Sequence, residues 1–522
     1  MSLSTLGVFE SYRTFYGESP SLCILTTVLG FVVTALIWAQ IEQALFDDPT
    51  QPPVVRYYVP FIGSMVEFGM DPIGFMRKHR EQHGDFFTFL MFGRKMTVCL
   101  GSRGNDFLFN AKHSCVTAED AYNNLTKPVF GADVVYDVPN SVLMEQKRIV
   151  KAGLSTKSFQ RYVPMIIKET NDYIDKHWTK DEDTIDIFKA ISELIIMSAS
   201  RTLLGKEIRA QLYEGVADLY HTLDSSFTPI HFLFEWLPLP SYFSAPKAHA
   251  ELESIFAKVI KARRLETNRE SVDMLDVFLT SKYKDGTALT DLQATNMCIA
   301  LLMAGQHTSA ATTTWALLNL ANQDNVRNGA YNDMKRAMGE DLPYPEFENL
   351  KDLQTLDDIV RETLRIHPPI VQVLRKVVKP IPIPESSHII PAGNYLMASP
   401  VIAATDKAHF QDPETFKPSR WSQQDEAAEV EAEDKNSENT VNYGWGDMSL
   451  NSAKSPYLPF GAGRHRCIGE QFAYIQIKTI LYVLLKRFDF KLDEKRGMPK
   501  SDYNSMVVLP EAPVSCRYIR RK

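Results

Sequence analysis

The sequence is poor in cysteine, in excess charge of either sign and in nucleotide-binding motifs. No CxxC pair or zinc-type spacing occurs among its cysteines, which argues against a disulfide framework and favours reduced thiols in a cytosol-facing protein. A net charge of −7 and a pI near 6.0 argue against nucleic-acid binding. No GxGxxG motif is present, so a redox nucleotide site within the chain is not predicted. The six cysteines are Cys23, Cys99, Cys115, Cys298, Cys467 and Cys516.

Charge is missing altogether from one stretch near the start of the chain, between Glu18 and Glu42. A helix of about 20 apolar residues spans a bilayer core of roughly 30 Å. We therefore predict a transmembrane helix over residues 21–41, after an N-terminal segment of residues 1–20. A cleaved signal peptide is the alternative, and the long polar lead and the lack of a small-x-small site argue against it.

The rest of the chain has a linker, a large body and one biased insertion. Residues 42–60 are rich in proline and predict a stiff, non-helical connector. Residues 61–522 form the predicted catalytic domain, in which the apolar spacing is dominantly helical from Val142 to Lys379. Residues 422–455 are acidic and then rich in Asn, Ser and Gly, which predicts a solvated surface insertion.

One cysteine stands in a context that differs from that of the others. Cys467 lies two residues before the end of the run PFGAGRHRCIG, and an amphipathic helix pattern follows this run at once. The start of a helix offers unpaired amides and a positive dipole end, which stabilise a thiolate. Gly461 and Gly463 allow close approach of the backbone to a flat group. A buried cysteine beside an ordinary tight turn is the plainer interpretation, and the whole loop together argues against it.

This loop resembles the cysteine loop of the cytochrome P-450 family, FxxGx(R/H)xCxG. The resemblance implies a mainly α fold with small β-sheets behind a single N-terminal transmembrane helix, and a haem b whose iron is bound by Cys467. His465 stands where arginine is more common, and Ala462 replaces a frequent glycine. By the same likeness Phe460, Gly461 and His465 would contact the haem. An ExxR pair and a later FKPSRW stretch match the family's buried charge network, Glu362, Arg365 and Arg420.

A long helix is predicted from about Thr290 to Leu320, opening with the capping box TDLQ. The stretch AGQHT in its middle resembles the family's oxygen-binding sequence, with His307 in place of the usual carboxylate. Thr308 and His307 are the candidate catalytic residues, because a hydroxyl and an imidazole can relay protons. Gly305 is expected to loosen the helix there. A core histidine beside a glycine is the alternative for His307.

Two stretches narrow the resemblance to fungal sterol 14α-demethylases: GQHTS at residues 305–309, and AEDAYNNLTKPVFG at residues 118–131. The likeness implies haem-propionate contacts from Tyr122, Tyr136, Lys147 and Arg375. It also implies a sterol cavity lined by Phe130, Tyr136, Phe227, Gly305, Ile370, Leu374 and Met506. For each cavity residue, ordinary core packing is the alternative.

The expected reaction is removal of the 14α-methyl of lanosterol-type sterols in three successive oxidations with release of formate, in ergosterol biosynthesis. Electrons would come from NADPH through a flavoprotein reductase, for which Arg464, Arg466 and Lys478 form a candidate basic docking patch. The resemblance further implies a single-pass endoplasmic reticulum protein with its catalytic domain in the cytosol, and azole inhibitors as ligands. Two alternatives stay open: a cytochrome P-450 acting on another lipid or a foreign compound, and a haem-binding carrier or sensor.

Overall fold

The computed structural model describes residues 20–45, 48–211, 219–220, 222–223, 240–266, 273–422, 453–503 and 505–522. The predicted insertion therefore lies almost wholly outside the described residues, as does Phe227. The α-helices, in chain order, are α1 (Pro20–Leu45), α2 (Met65–Met70), α3 (Pro72–His83), α4 (Gly101–Phe109), α5 (Glu119–Phe130), α6 (Asn140–Gly153), α7 (Thr156–His177), α8 (Ile187–Ala199), α9 (Lys206–Gln211), α10 (Pro240–Leu265), α11 (Met274–Thr280), α12 (Asp291–Asn322), α13 (Asp324–Met338), α14 (Gln354–Ile366), α15 (Pro400–Ala404) and α16 (Glu470–Arg487).

The strands are short and form small sheets, as expected for a mainly helical fold. They are β1 (Phe86–Met91), β2 (Arg94–Cys99), β3 (Val116–Thr117), β4 (Glu182–Asp186), β5 (Val373–Val377), β6 (Ile381–Pro382), β7 (Ile389–Ile390), β8 (Tyr395–Ala398), β9 (Phe488–Leu492), β10 (Ser501–Asp502), β11 (Leu509–Pro510) and β12 (Ser515–Arg520). The predicted mainly α fold with small sheets is confirmed.

The helix α1 is the expected membrane-spanning segment. Its Ile24–Leu45 portion is long and apolar enough to cross a membrane, and only 6% of the most apolar window is buried, which separates it from a core helix. The helix ends four residues beyond the predicted 41. Gln43 accounts for that extension, because its side chain donates to the Tyr57 carbonyl (2.9 Å) and accepts from the Tyr57 amide (3.0 Å).

The chain divides into two compact units, and the first comprises Met1–Val98 with Val377–Leu396. Its core is an aromatic cluster in which Phe68, Phe75 and Phe89 lie with ring centroids 5.0–5.6 Å apart. The hairpin of β1 and β2 turns at Phe92 and Gly93, both of which have positive φ (46° and 73°). Two positive φ angles in a two-residue turn match the right-handed twist of paired strands.

The second unit, Cys99–Lys376 with Met397–Lys522, is organised around α12. This helix is apolar nearly all round and packs against α8, α10, α14 and α16. A helix that is hydrophobic on every side belongs in the middle of a large core. Thr290 and Gln293 form the predicted capping box at its start. A three-stranded sheet in the order β4-β12-β9 contacts α12 through β9, and β3 neighbours β5.

Candidate functional site

Two glycines that precede Cys467 give the cysteine loop its backbone conformation. Gly461 and Gly463 both have positive φ (68° and 64°). A Cβ on Gly463 would lie 2.6 Å from the Phe109 carbonyl oxygen, and one on Gly461 would lie 3.3 Å from the Phe109 ring. Both glycines therefore make room for Phe109 at the end of α4, and close approach of their backbone to a flat ligand stays a prediction.

The Cys467 thiol lies at the amino end of α16. The backbone amide of Cys467 donates to the Phe460 carbonyl (3.0 Å), and this bond closes the loop. Cys467 has exposed surface, and desolvation by the protein around its sulfur raises the pKa of the thiol. The Gly469 amide, Lys147 and Arg466 oppose that shift and lower the pKa. A metal ion bound to this thiol would deprotonate it outright.

Lys147 ties α6 to the cysteine loop. Its Nζ donates to the carbonyl oxygens of Arg464 (2.9 Å) and Arg466 (2.8 Å). Burial lowers the pKa of Lys147, while the Cys467 thiolate acts in the opposite direction. The structure therefore places Lys147 beside the thiol, with its ammonium group fixed by the loop backbone.

Arg375 is a buried cation without a carboxylate partner among the described residues. It is 5% exposed, and its Nη1 donates to the Leu374 carbonyl (2.6 Å). A buried charge is costly unless a counter-charge compensates it. The guanidinium is thus suited to an anionic group that the polypeptide itself does not provide.

Three rings complete this side of the site. The Leu374 amide donates to the Tyr122 hydroxyl oxygen (2.8 Å), and Tyr122 stacks on Tyr136 with centroids 5.2 Å apart. The ring centroids of Tyr136 and His465 in turn lie 6.3 Å apart. Burial raises the pKa of Tyr136 to about 12. Burial also lowers the pKa of His465, to about 3, and the nearby Arg375 cation contributes to this shift. Near neutral pH, these rings are neutral hydrogen-bonding groups.

The donor set fits a haem. The Cys467 thiol would supply the iron ligand, and the buried Arg375 and half-buried Lys147 would meet the two anionic propionates. Neutral Tyr and His groups add hydrogen-bond donors on the same side. The residues predicted to bind the haem are therefore brought together, with Lys147 bonded to the loop carbonyls in this structure.

The middle of α12 presents an uncovered face. Ala304 is exposed and Gly305 to Thr308 are half-buried, although most of this helix is fully buried. The Thr308 hydroxyl donates to the Ala304 carbonyl (2.8 Å). The backbone stays α-helical through Gly305, so the expected loosening is absent. Thr308 and His307 thus lie on the stretch of α12 that is only partly buried.

The ExxR pair forms a fully buried charge network. Arg365 donates from Nε and Nη2 to the two carboxylate oxygens of Glu362 (2.9 and 2.8 Å). Arg420 donates to the same carboxylate (2.9 Å), as do the Trp421 indole (3.0 Å) and the Lys417 amide (2.9 Å). The spare donors of Arg365 reach the carbonyls of Ala404 (2.9 Å) and Pro413 (2.7 Å).

The predicted cavity residues are placed unevenly. Phe130 ends α5 and Leu374 lies in β5 beside Arg375. Leu374 is buried, Phe130 and Met506 are half-buried, and Ile370 is 48% exposed. An exposed apolar side chain such as Ile370 is available to a ligand, whereas Leu374 also fills core space.

The prediction of a basic docking patch is wrong for Lys478. Lys478 is 1% exposed, donates to the Leu350 carbonyl (2.7 Å) and pairs with Asp357 (3.4 Å). Its helix is buried on nearly every side, so a lysine on it finds an internal partner instead of solvent. Arg466 forms a bidentate ion pair with Glu470.

Several polar residues at the site were not predicted from the sequence. Glu119 accepts hydrogen bonds from Thr117 (2.9 Å) and Asn140 (2.8 Å) close to His465. Gln146 and Asn296 bond to the backbone of the segment after Phe130. A polar residue inside an apolar helical run, as Asn296 is, was the available signal.

Comparison with known proteins identifies the family. The profile of cytochrome P450 matches residues 52–517. The chain belongs to the cytochrome P450 family. A retinoic acid-bound cyanobacterial CYP120A1 shares the fold, with a TM-score of 0.73 at 18% identity over 91% of this chain and 100% of that chain. As in other cytochromes P450, the cofactor implied is a haem with a cysteinate ligand.

Curated relatives of this cytochrome P450 align over nearly its whole length. It is 43% identical to the lanosterol 14-alpha demethylase of Cunninghamella elegans, over 95% of this chain and 96% of the relative. It is 42% identical to the lanosterol 14-alpha demethylase erg11 of Schizosaccharomyces pombe, over 95% and 99%. It is 41% identical to the eburicol 14-alpha-demethylase of Penicillium italicum, over 96% and 98%. The fungal resemblance seen in the sequence is confirmed.

Proposed function

We propose that this cytochrome P450 is a sterol 14α-demethylase acting on lanosterol-type substrates in ergosterol biosynthesis. The observation that carries the proposal is the consistent similarity, over nearly the full length, to fungal enzymes of that activity. The geometry supports it, because the exposed Cys467, the cations Arg375 and Lys147 and the partly buried middle of α12 lie in one compact unit.

The haem, when bound, activates dioxygen with electron density donated by the cysteinate. Cys467 would hold the iron, and Arg375, Lys147, Tyr122, Tyr136 and His465 would hold the propionates. The backbone amide of Gly469 would reduce the charge on the sulfur, since a hydrogen bond to a thiolate stabilises it. The cysteine loop therefore sets both the position and the electron density of the ligand.

Three successive oxidations of the 14α-methyl give an alcohol, an aldehyde and finally formate with a new ring double bond. Each oxidation needs protons as well as electrons. His307 and Thr308 would deliver the protons from α12. The Thr308 hydroxyl now donates to the Ala304 carbonyl, so proton delivery requires that bond to exchange for one toward the reacting oxygen.

Sterol binding would rest on apolar contact. Burying about 400 Å² of sterol surface contributes on the order of 10 kcal/mol before the costs of binding are subtracted. Phe130, Tyr136, Ile370, Leu374 and Met506 would line the cavity, with Phe227 as a further candidate outside the described residues. A few polar groups suffice to orient the 3-hydroxyl group.

Electrons would come from NADPH through a flavoprotein reductase. The helix α1 would anchor the protein in the endoplasmic reticulum with the catalytic part in the cytosol, within reach of a reductase in the same membrane. Azoles would occupy the sterol cavity and bind the iron. Arg464 stays a candidate docking residue, since its side chain is exposed.

Spectral titration of the purified holoprotein tests the substrate class. Lanosterol or its 24-methylene relative is expected to displace the water ligand of the iron and shift the absorption maximum, whereas a fatty acid is not. In Cys467→Ser the reduced carbon monoxide complex should lose the absorption maximum typical of cysteinate ligation. Cys115→Ser, at a half-buried cysteine, is the control. A fatty-acid shift without a sterol shift would replace the sterol proposal by a different lipid monooxygenase.

A further inference from the structure

The segment from Gly131 to Val135 is strained. Positive φ angles occur at Gly131 (89°), Asp133 (61°) and Val135 (54°). Positive φ is uncommon outside glycine, and for a β-branched residue such as valine it is a genuine outlier. Such a backbone persists only where the surrounding structure determines it by more than local preference. The contacts of this segment therefore decide its conformation.

The first of these contacts comes from α12. Asn296 is 1% exposed, and its Nδ2 donates to the Ala132 carbonyl (2.9 Å). The same side chain fills the space beside Gly131, because a Cβ there would lie 2.5 Å from the Asn296 amide. Asn296 therefore fixes one end of the segment by a hydrogen bond and by shape.

The second contact comes from α6. Gln146 is 3% exposed and accepts from the Val135 amide (3.1 Å) through Oε1. Its Nε2 donates to the Asp133 carbonyl (2.9 Å) and also to the Tyr283 hydroxyl (3.3 Å). Both residues with strained, non-glycine backbone are thus held by one buried amide.

The two clamped ends adjoin two residues of the proposed cavity. Phe130 comes directly before Gly131, and Tyr136 comes directly after Val135 and stacks on Tyr122. When a backbone segment is held in one conformation, the residues directly before and after it are held in place as well. If the segment relaxed to ordinary φ angles, both aromatic side chains would be redirected.

We propose that Asn296 and Gln146 are positioning residues that hold the 131–135 segment in its strained form and so set Phe130 and Tyr136 for sterol and azole binding. This inference rests on the proposed function, in which those two aromatic residues line the cavity. Neither amide needs to touch the ligand, because each acts through the backbone between the two aromatic residues.

The experiment uses the full-length holoprotein with Asn296→Ala and Gln146→Met. Asn319→Ala is the first control, since Asn319 is a buried asparagine on α12 whose Nδ2 bonds the Trp315 carbonyl of its own helix (2.8 Å). Gln476→Met is the second, at a fully buried glutamine that bonds Ser198 (2.9 Å). The readouts are amide hydrogen exchange of residues 131–137, the dissociation constants of lanosterol and an azole, and the reduced carbon monoxide spectrum.

In Asn296→Ala and in Gln146→Met, the amides of residues 131–137 are expected to exchange about tenfold faster than in wild type. Both variants are expected to bind lanosterol and the azole about fivefold more weakly. The carbon monoxide spectrum should stay that of a cysteinate complex, and KM should rise with kcat within twofold. Both controls should match the wild type.

Dissociation constants within twofold of wild type, despite faster exchange, would overturn the inference, as would equal effects in the controls. If one variant does not bind haem, the other decides. Failure of both to bind haem would also overturn it, because the two residues would then support the whole unit. If wild type itself gives no sterol response, the substrate proposal fails separately. Amide hydrogen exchange and the azole dissociation constant then still test whether Asn296 and Gln146 position the 131–135 segment.

Discussion

Among single residues, Glu362 has the most demanding environment. Its carboxylate is fully buried and accepts hydrogen bonds from Arg365, Arg420 and Trp421. Two buried cations depend on this one anion. Removing one partner of a buried ion pair leaves an uncompensated charge, which costs more than the pair itself contributes.

We predict that Glu362→Gln lowers the free energy of unfolding by about 3–5 kcal/mol, because Arg365 and Arg420 lose their shared counter-charge. The measurement is the yield of haem-loaded protein and the midpoint of urea unfolding. Glu340→Gln, at an exposed carboxylate paired with Lys335, is the control and should change neither. A Glu362→Gln protein as stable as the control would contradict the structural role of this network.

His367 gives a prediction for pH. It stacks on Trp315 with centroids 3.8 Å apart, and burial, with a contribution from Arg365, lowers its pKa to about 3. The unfolded chain accepts this proton near pH 6.5, so stability is fully present above pH 6.5 and is lost as the pH falls toward 3. The thermal midpoint of His367→Phe should therefore fall less than that of wild type between pH 7.5 and 5.5. The exposed His113→Phe is the control, and an equal fall in His367→Phe and wild type would count against this assignment.

At the scale of elements, the join between α6 and the cysteine loop supports the haem site. Lys147 bridges from α6 to two carbonyls of that loop, and Asn140 of the same helix accepts a longer bond from Arg464 (3.5 Å). Each hydrogen bond to a charged group contributes on the order of 1.5–3 kcal/mol. The position of the loop, and with it the Cys467 ligand, therefore depends on a side chain from another helix.

Lys147→Met should release haem about tenfold faster than wild type, because the loop loses both hydrogen bonds and the propionates lose a cation. Transfer of haem to excess apomyoglobin measures the rate. Lys151→Met removes an exposed lysine one turn along the same helix and should leave the rate unchanged. Equal rates in the two variants would show that Lys147 does not stabilise the bound haem.

Elements defined by local signals were predictable, and contacts across the chain were not. The capping box at Thr290 fixes the start of α12 from four consecutive residues. The bond between Asn296 and Ala132 joins positions 164 residues apart, and no local pattern encodes it. Lys478 was misjudged for the same reason, because its buried partner Asp357 comes from a distant helix. Cys467 was predictable because its loop carries many constrained positions in succession.

At the scale of the whole molecule, we expect α1 to anchor the enzyme in a membrane. The helix is long and apolar enough over Ile24–Leu45 to cross a membrane, and only 6% of its most apolar window is buried. A variant without residues 1–45 should be released from membranes by an alkaline carbonate wash, whereas the full chain should stay in the pellet. Replacing residues 24–45 by a polyleucine helix is the control and should restore retention. Retention of the truncated chain equal to that of the full chain would show that other surfaces suffice to anchor it.

The most direct test of the sterol 14α-demethylase proposal is product formation. The purified chain is reconstituted with a flavoprotein reductase and NADPH, supplied with lanosterol or its 24-methylene relative, and assayed by mass spectrometry. We predict formate and the 14-demethylated sterol in equal amounts, with three molecules of NADPH consumed for each. A protein with intact, reducible haem and cysteinate ligation that yields neither product would contradict the sterol assignment while leaving the monooxygenase family in place.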